Sequence, residues 1–424
     1  MKKSTVVILG FLLSLMPGLV MGSTLQILSK AKGVSIPPSI AENGDSFIYA
    51  AVDSKTKRPA LFVSYKTKDG SFTTPVVAFD ATIKPVGLKQ HFQIFVPVSS
   101  QQKPKSPDTP TGFNSPTIQN GIITFSATLE NGQQGVFYAK KTAGKWQVFP
   151  IALQGDKAPG ITRATFKFFN APYISKNSEA IFLCTLDNKT DVVYAFKVNA
   201  KCCKDKKFKI LHQADKKLHN FFNISVAQGT FATRAVTGKG VTNMYIFDRK
   251  SDKLIKTVPQ KYGFIDKGKP LVIGGPTYYS GKVAFMAFSK DKAGKIISGI
   301  FTNAGGNEFS EPFVHSGKKY DSLNATFNYL VCNPTLYISS GKAYIAFMGF
   351  PTRSKKINGV YLAEITDGKV KLQPVAIPGQ VITSGMQIQT AVTGAVSIRN
   401  GIIPLAVRLT DGTELIATVN IQKK

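Results

Sequence analysis

The sequence predicts an all-β protein: a single β-propeller of seven four-stranded blades, the last blade closed by the N-terminal strand. Three observations predict it. A turn followed by a β-forming strand recurs seven times. Every copy carries similar flanking strands and a polar tip. The seventh copy stops one strand short, and a spare strand-like segment stands near the start of the chain.

The recurring turns are Asn43-Gly44, Asn120-Gly121, Asn177-Ser178, Gln228-Gly229, Ser280-Gly281, Ser340-Gly341 and Asn400-Gly401, spaced 51 to 77 residues apart. Asn-Gly pairs suit two-residue hairpin turns, because both central positions need positive φ. The strand before each turn is often opened by proline (Pro38, Pro116, Pro172, Pro276, Pro334). A first strand position tolerates the missing N–H. After the turn comes an alternating or continuous apolar strand, such as Lys282 to Asp291, then a polar tip, a third strand, a second turn and a fourth strand. The longest step contains a Pro-, Ser- and Gln-rich insertion over 99–112. The resulting division is 33–80, 81–153, 160–213, 214–259, 260–315, 316–377, and 378–424 completed by 24–30. Thr24 to Ser29 has the look of a fourth strand, and closure by it removes two sheet edges that would invite aggregation.

The N-terminus reads as an export signal over 1–22. Lys2 and Lys3 precede an apolar stretch from Val6 to Val20, and Val20-Met21-Gly22 fits the small-residue cleavage rule. The stretch falls short of the roughly 20 residues that a spanning helix needs. The mature propeller, 23–424, is therefore expected in the periplasm or outside the cell, with no transmembrane segment. Its oligomeric state is not readable.

Lys plus Arg number 54 against 24 Asp plus Glu, a formal charge of +30, and only seven of the cations are Arg. Arginine forks read phosphates and base edges, whereas lysine is a hydrated point charge. The balance points to diffuse attraction for an anionic polysaccharide, a lipid headgroup or an acidic protein, not to sequence-specific nucleic-acid reading. Tips between second and third strands share one face of a propeller with the connections between blades. The tip residues Lys57, Arg58, Lys292, Lys295, Arg353, Lys355 and Lys356 are the candidate ligand-binding set. A basic surface also serves solubility alone.

Four cysteines give little disulfide arithmetic. Cys184 and Cys332 lie in apolar runs and read as buried hydrophobes, and Cys202 and Cys203 are adjacent in a lysine-rich turn. A hairpin over 187–191 sets Cys184 opposite about Tyr194 and leaves Cys202 about 26 Å further along the strand, beyond disulfide reach.

Two copies, Ser280-Gly281-Lys282-Val283-Ala284-Phe285 and Asn120-Gly121-Ile122-Ile123-Thr124-Phe125, resemble the bacterial exported tandem-repeat proteins built on an N-x-x-G-x-h-A-F core, where h is hydrophobic. The resemblance implies a propeller-type fold and no activity. Thr124 replaces the Ala of that core, and the Gly is lost at Ser178.

Enzyme motifs are sparse. The stretch Ser64 to Thr73 has the wrong spacing for a sialidase Asp box, and Trp146, the only Trp, falls in a fourth strand. No carboxylate pair of the glycosidase kind stands out. P-loop, GxSxG and HExxH motifs are absent. The best catalytic trio is His212, Asp215 and His219, which has no recognised metal spacing; no metal and no cofactor are expected. The reading is a noncatalytic binding propeller. The alternatives are a glycan-directed hydrolase or lyase using that trio, and a structural assembly component.

Overall fold

In the computed structural model the described residues are 25–94, 116–198 and 207–422, apart from 228, 240, 241, 249, 251, 252, 259–271, 291, 292, 306–308, 310, 324, 352–357, 383, 384 and 395. The expected signal segment, the whole insertion at 99–112, Cys202, Cys203, Lys292, Arg353, Lys355 and Lys356 lie outside them. Among the described residues there is no α-helix, and none long and apolar enough to cross a membrane.

The strands form seven blade sheets. Blade 1 consists of Ile36–Ile40, Ser46–Val52, Pro59–Tyr65 and Val76–Asp80. Blades 2 to 6 repeat this meander, and each has its innermost strand beside the second. In blade 7, Ile388–Val392, Ile402–Leu409 and Glu414–Asn420 are joined by Leu25–Ala31. That N-terminal strand pairs antiparallel with the third strand, from Leu25 opposite Val419 to Ala31 opposite Glu414. The ring is closed as the missing strand predicts. One addition was not foreseen: a small hairpin of Lys319–Tyr320 and Ala325–Thr326 between blades 5 and 6.

The core lies between blades. Strand side chains alternate across the sheet, so each second strand feeds two interfaces at once. Phe47 and Tyr49 join Ile402, Ala406 and Ile416 of blade 7, while Ile48 and Ala50 join Ile123 and Phe125 of blade 2. Phe182 likewise faces blade 2, and Ile181 and Leu183 face blade 4. Burial on both faces is why these strands read as near-continuous apolar runs.

The hairpin turns follow their sequence chemistry. Asn120-Gly121 and Asn400-Gly401 both place two successive residues at positive φ, with Asn at 51° and 48° and Gly at 69° and 70°. Ser280-Gly281 and Ser340-Gly341 do the same. Blade 1 departs from the expected two-residue turn: Ala41 N–H donates to Ser46 O, enclosing four residues. In blade 3, Ser175 N–H donates to Glu179 O, enclosing three.

Two expectations are corrected. Pro116, Pro172 and Pro276 directly precede the short strands Thr117–Gln119, Tyr173–Ile174 and Thr277–Tyr279 as expected, but Pro38 and Pro334 lie inside theirs, and innermost pairing also exists on the far side of Pro172 and Pro276. In blade 3, Phe166–Phe169 and Tyr173–Ile174 both pair with Glu179–Leu186, and Pro172 lies between them. In blade 6 the register shifts between Val331 and Thr335, around Pro334. A residue without an N–H fits where the strand leaves its ladder. Cys184 faces Val192, not Tyr194, because the hairpin is tighter than drawn. Its thiol is fully buried and burial pushes its pKa up. Trp146 is half-buried in the fourth strand of blade 2, edge-on to Phe79.

Candidate functional site

The propeller offers two ends and a channel. Tips between second and third strands project at one end. The Asn-Gly-type turns and the turns between third and fourth strands lie at the other.

At the tip end, Lys57 and Arg58 are exposed on blade 1 and Lys295 is exposed on blade 5. They share a face but stand three blades apart the short way round, with blades 6 and 7 between them. The blade 1 tip is held by its own carboxylate: Asp53 accepts the N–H groups of Lys55 at 3.1 Å and Thr56 at 3.2 Å. Lys57 takes a φ of 58° and donates its N–H to Asp53 O. This arrangement recurs. Asp187 accepts from Thr165 and Asn188, Asp411 from Thr413, and Asp69 from Thr67 and Ser71. The scarce acids are thus engaged in shaping turns, where Asp side chains mimic a backbone turn.

These bonds hold Asp53, Asp69, Asp187 and Asp411 below the ordinary carboxylate pKa. A carboxylate with a lowered folded pKa adds stability above its unfolded value, and loses it as pH falls through the folded one. Stability followed by denaturant titration should therefore be level above about pH 4 and decline below it. Asp53→Ala should soften the decline; an unchanged acid limb would refute the role given to the turn carboxylates.

His212, Asp215 and His219 are near in sequence but do not form a catalytic trio. His212, on Phe208–Gln213, packs its ring against Phe221 and Phe247, with centroids 5.3 and 4.4 Å away. Asp215 turns its carboxylate back on the connection, accepting from the N–H groups of Leu218 and Lys217, both at 2.7 Å. These bonds, Leu218 first, lower its pKa. His219 is the second residue of Leu218–Ala227, the innermost strand of blade 4, and acts electrostatically on Asp191. Asp191 is buried, accepts from Thr185 Oγ1 at 2.6 Å and Phe221 N–H at 2.9 Å, and is pushed up by burial. Among the described residues no group of three or more His, Cys, Asp or Glu is arranged to hold a metal.

Sequence reasoning missed the channel. Where prolines break the innermost strands, the next residue ties adjacent blades together. Thr117 Oγ1 donates to Pro172 O at 3.3 Å, and Ile174 N–H donates back to Thr117 Oγ1 at 3.1 Å. Thr277 Oγ1 donates to Pro334 O at 2.8 Å, and Ser397 N–H to Thr335 Oγ1 at 3.2 Å. Across the closure, Val396 N–H donates to Ser39 Oγ at 3.0 Å and Gly394 N–H to Pro38 O at 2.8 Å. The recurring Pro-Ser/Thr pair was a visible signal, at 38–39, 116–117, 276–277 and 334–335.

Toward the Asn-Gly end a small cavity of about 20 Å³, room for one water, lies among the innermost strands. Five blades line it, through residues including Glu42, Thr117, Tyr173, Val226 and Arg399. Arg399 precedes the Asn400-Gly401 turn and is 6% exposed. Its guanidinium lies 5.0 Å from the ring centre of Tyr279 in blade 5. One Nη donates to Ile398 O at 2.7 Å and to Leu336 O of blade 6 at 3.1 Å. Burial raises Tyr173 to about 12, opposed by the Arg399 charge, and desolvation lowers Arg399 itself.

No family model matches the sequence, and no curated protein matches it. Solved structures similar to the chain include three at low identity. The β-propeller domain of the Trilobed protease from Pyrococcus furiosus is 10% identical, with 92% of this chain and 96% of that chain covered and a TM-score of 0.47. The WD40 domain of SCAP from fission yeast is 10% identical, covering 94% and 98%, with a TM-score of 0.37. Trypanosoma rangeli sialidase is 8% identical, covering 95% and 55%, with a TM-score of 0.38. The bacterial repeat family suggested by the N-x-x-G-x-h-A-F resemblance is not shown by these comparisons. No activity passes from these structures to this chain.

Proposed function

We propose that the chain is an exported, noncatalytic binding propeller whose lysine-rich tip face engages an anionic partner, such as a polysaccharide, a lipid headgroup or an acidic protein. The observation that supports this most is the division of labour between charges. The chain carries 30 more cations than anions, and acids such as Asp53 and Asp187 are bonded into their own turns. Exposed cations such as Lys57, Arg58 and Lys295 then give the face an excess of positive charge, and such a field concentrates anions near it. The alternative of a glycan-directed hydrolase or lyase draws no comparable support, because Asp215 is committed to its turn and His212 to an aromatic contact.

Attraction of this kind is screened within about 8 Å at physiological salt. Retention on immobilised heparin or on anionic liposomes should accordingly be strong at low salt and fall steeply as salt rises. Retention indifferent to salt, or absent at low salt, would overturn the proposal.

A further inference from the structure

A short motif recurs where the innermost strands begin. It reads Phe92-Gln93-Ile94 in blade 2, Phe166-Lys167-Phe168 in blade 3, His219-Asn220-Phe221 in blade 4, Phe327-Asn328-Tyr329 in blade 6 and Ile388-Gln389-Thr390 in blade 7. The middle residue is an amide or a lysine each time. Each copy pairs with the end of its second strand nearest the tip, as Phe92 with Leu129, Phe166 with Leu186, His219 with Val236, Tyr329 with Phe350 and Ile388 with Leu409. Innermost strands line the channel, so the five copies ring its mouth at the tip end. In blades 2, 3, 4 and 7 the register slips at this point and leaves the middle residue unpaired. Such a bulge re-aims side chains. Lys167, Asn220 and Gln389 are exposed there, although Phe166, Phe221 and Ile388 beside them are buried.

Two aromatic rings are exposed among these groups. Phe168 is 52% exposed, and the Lys167 Nζ stands 5.4 Å from its ring centre. Tyr329 is 38% exposed and rests on Phe288 of blade 5 at 5.8 Å. The chemistry of this ring discriminates among anions. A phosphate headgroup or a peptide carboxylate only accepts hydrogen bonds, and its strong partners are Arg and Lys. An amide both donates and accepts, as a hydroxyl does. One lysine among four amides, with no acid in the five positions, suits a ligand rich in hydroxyls and sparse in negative charge. Aromatic faces with a few placed polar groups are the usual make-up of a small-ligand site. We infer that the tip-end mouth of the channel is a saccharide site for a uronate-bearing polysaccharide. One sugar ring lies on Phe168, with its carboxylate at Lys167 and a hydroxyl at Asn220 of the next blade. The chain crosses the mouth toward Tyr329 and Gln389. This site rests on the anionic-partner reading of the tip face, and names the ligand class and the place where it is recognised.

The test titrates wild type, Phe168→Ala, Lys167→Gln and Gln389→Ala by calorimetry with hexamers of galacturonate and of mannuronate, and with hexaglutamate of the same charge. Wild type should bind at least one uronate hexamer saturably, and roughly tenfold or more tighter than hexaglutamate. Phe168→Ala should weaken that binding by about tenfold at low and at high salt alike, because a stacking contact is not screened. Gln389→Ala should weaken it several-fold, and Lys167→Gln should weaken it most at low salt. Retention of Phe168→Ala on anionic liposomes should match wild type. Uronate hexamers bound no better than hexaglutamate, or uronate binding unchanged by Phe168→Ala, would overturn the site and leave the salt-dependent retention of the tip face standing. A loss of liposome retention in Phe168→Ala as large as its loss of uronate binding would assign the mouth to lipid headgroups and also overturn it. Retention on liposomes indifferent to salt, with uronate binding still dependent on Phe168, would instead remove the broader reading and keep the saccharide site.

Discussion

Deleting residues 25–31 is expected to open the ring and cause the largest loss of stability of any change considered. Leu25–Ala31 supplies the outermost strand of blade 7 and pairs along its length with Glu414–Asn420. Its outward side chains are lightly buried, but Leu25 packs on the blade 6–7 core and Leu28 and Ala31 on the blade 7–1 core. Val34 N–H donates to Glu414 Oε2 at 3.1 Å just after the strand. Losing about five ladder bonds at about 1 kcal/mol each, plus this packing, should cost upwards of 5 kcal/mol. It also leaves Glu414–Asn420 as an unpaired edge, so the deleted protein should aggregate. Thermal unfolding with light scattering checks this; an unchanged midpoint and a monodisperse deletion variant would show that the strand does not close the ring.

The second large effect is expected at the blade 5–6 interface. Phe327 is fully buried and edge-on to Tyr361, with centroids 4.8 Å apart. Its ring lies against Gly349, where an added Cβ would come within 2.6 Å of it. Phe327→Ala should cost about 3–5 kcal/mol through lost transfer and the cavity left behind. Gly349→Ala should cost about 1–3 kcal/mol through overpacking. Because the two changes meet at one contact, the double variant should be less destabilised than the sum of the singles. Denaturant titration of the four proteins measures this; strict additivity would mean that ring and glycine are not in contact.

Much of the fold was legible because propeller blades are local structures. Turns such as Asn400-Gly401 write positive φ into the residue type, and strands buried on both faces write their burial as apolar runs. Closure was legible because a missing strand is a countable defect. The prolines were read as strand openers, which holds for Pro116, Pro172 and Pro276 but not for Pro38 and Pro334. Pro172 looks like a strand opener in the sequence; only the three-dimensional ladder shows that strand pairing exists on both sides of it. The site was less legible. Lys57, Arg58 and Lys295 are visible as charges, but their spacing around the ring depends on blade order. His212, Asp215 and His219 looked related by proximity in the chain, yet Asp215 accepts from the N–H groups of Lys217 and Leu218 and His212 packs on Phe221 and Phe247. Arg399 carries no local mark at all. It sits in the tripeptide Ile398-Arg399-Asn400, and the cavity it lines is built with residues from blades hundreds of positions away, such as Glu42 and Tyr173.

The tip face is tested most directly by charge reversal compared between the two ends. One variant carries Lys57→Glu, Arg58→Glu and Lys295→Glu; a control carries Lys68→Glu, Lys145→Glu and Lys369→Glu, exposed positions in turns of the opposite end. Both remove the same net charge, so heparin affinity as a function of salt separates location from total charge. The account predicts that the tip variant loses roughly tenfold or more in affinity at low salt, with a shallower salt dependence, while the control changes little. Equal losses in the two variants would show that the net charge acts without a dedicated face, and would contradict the account.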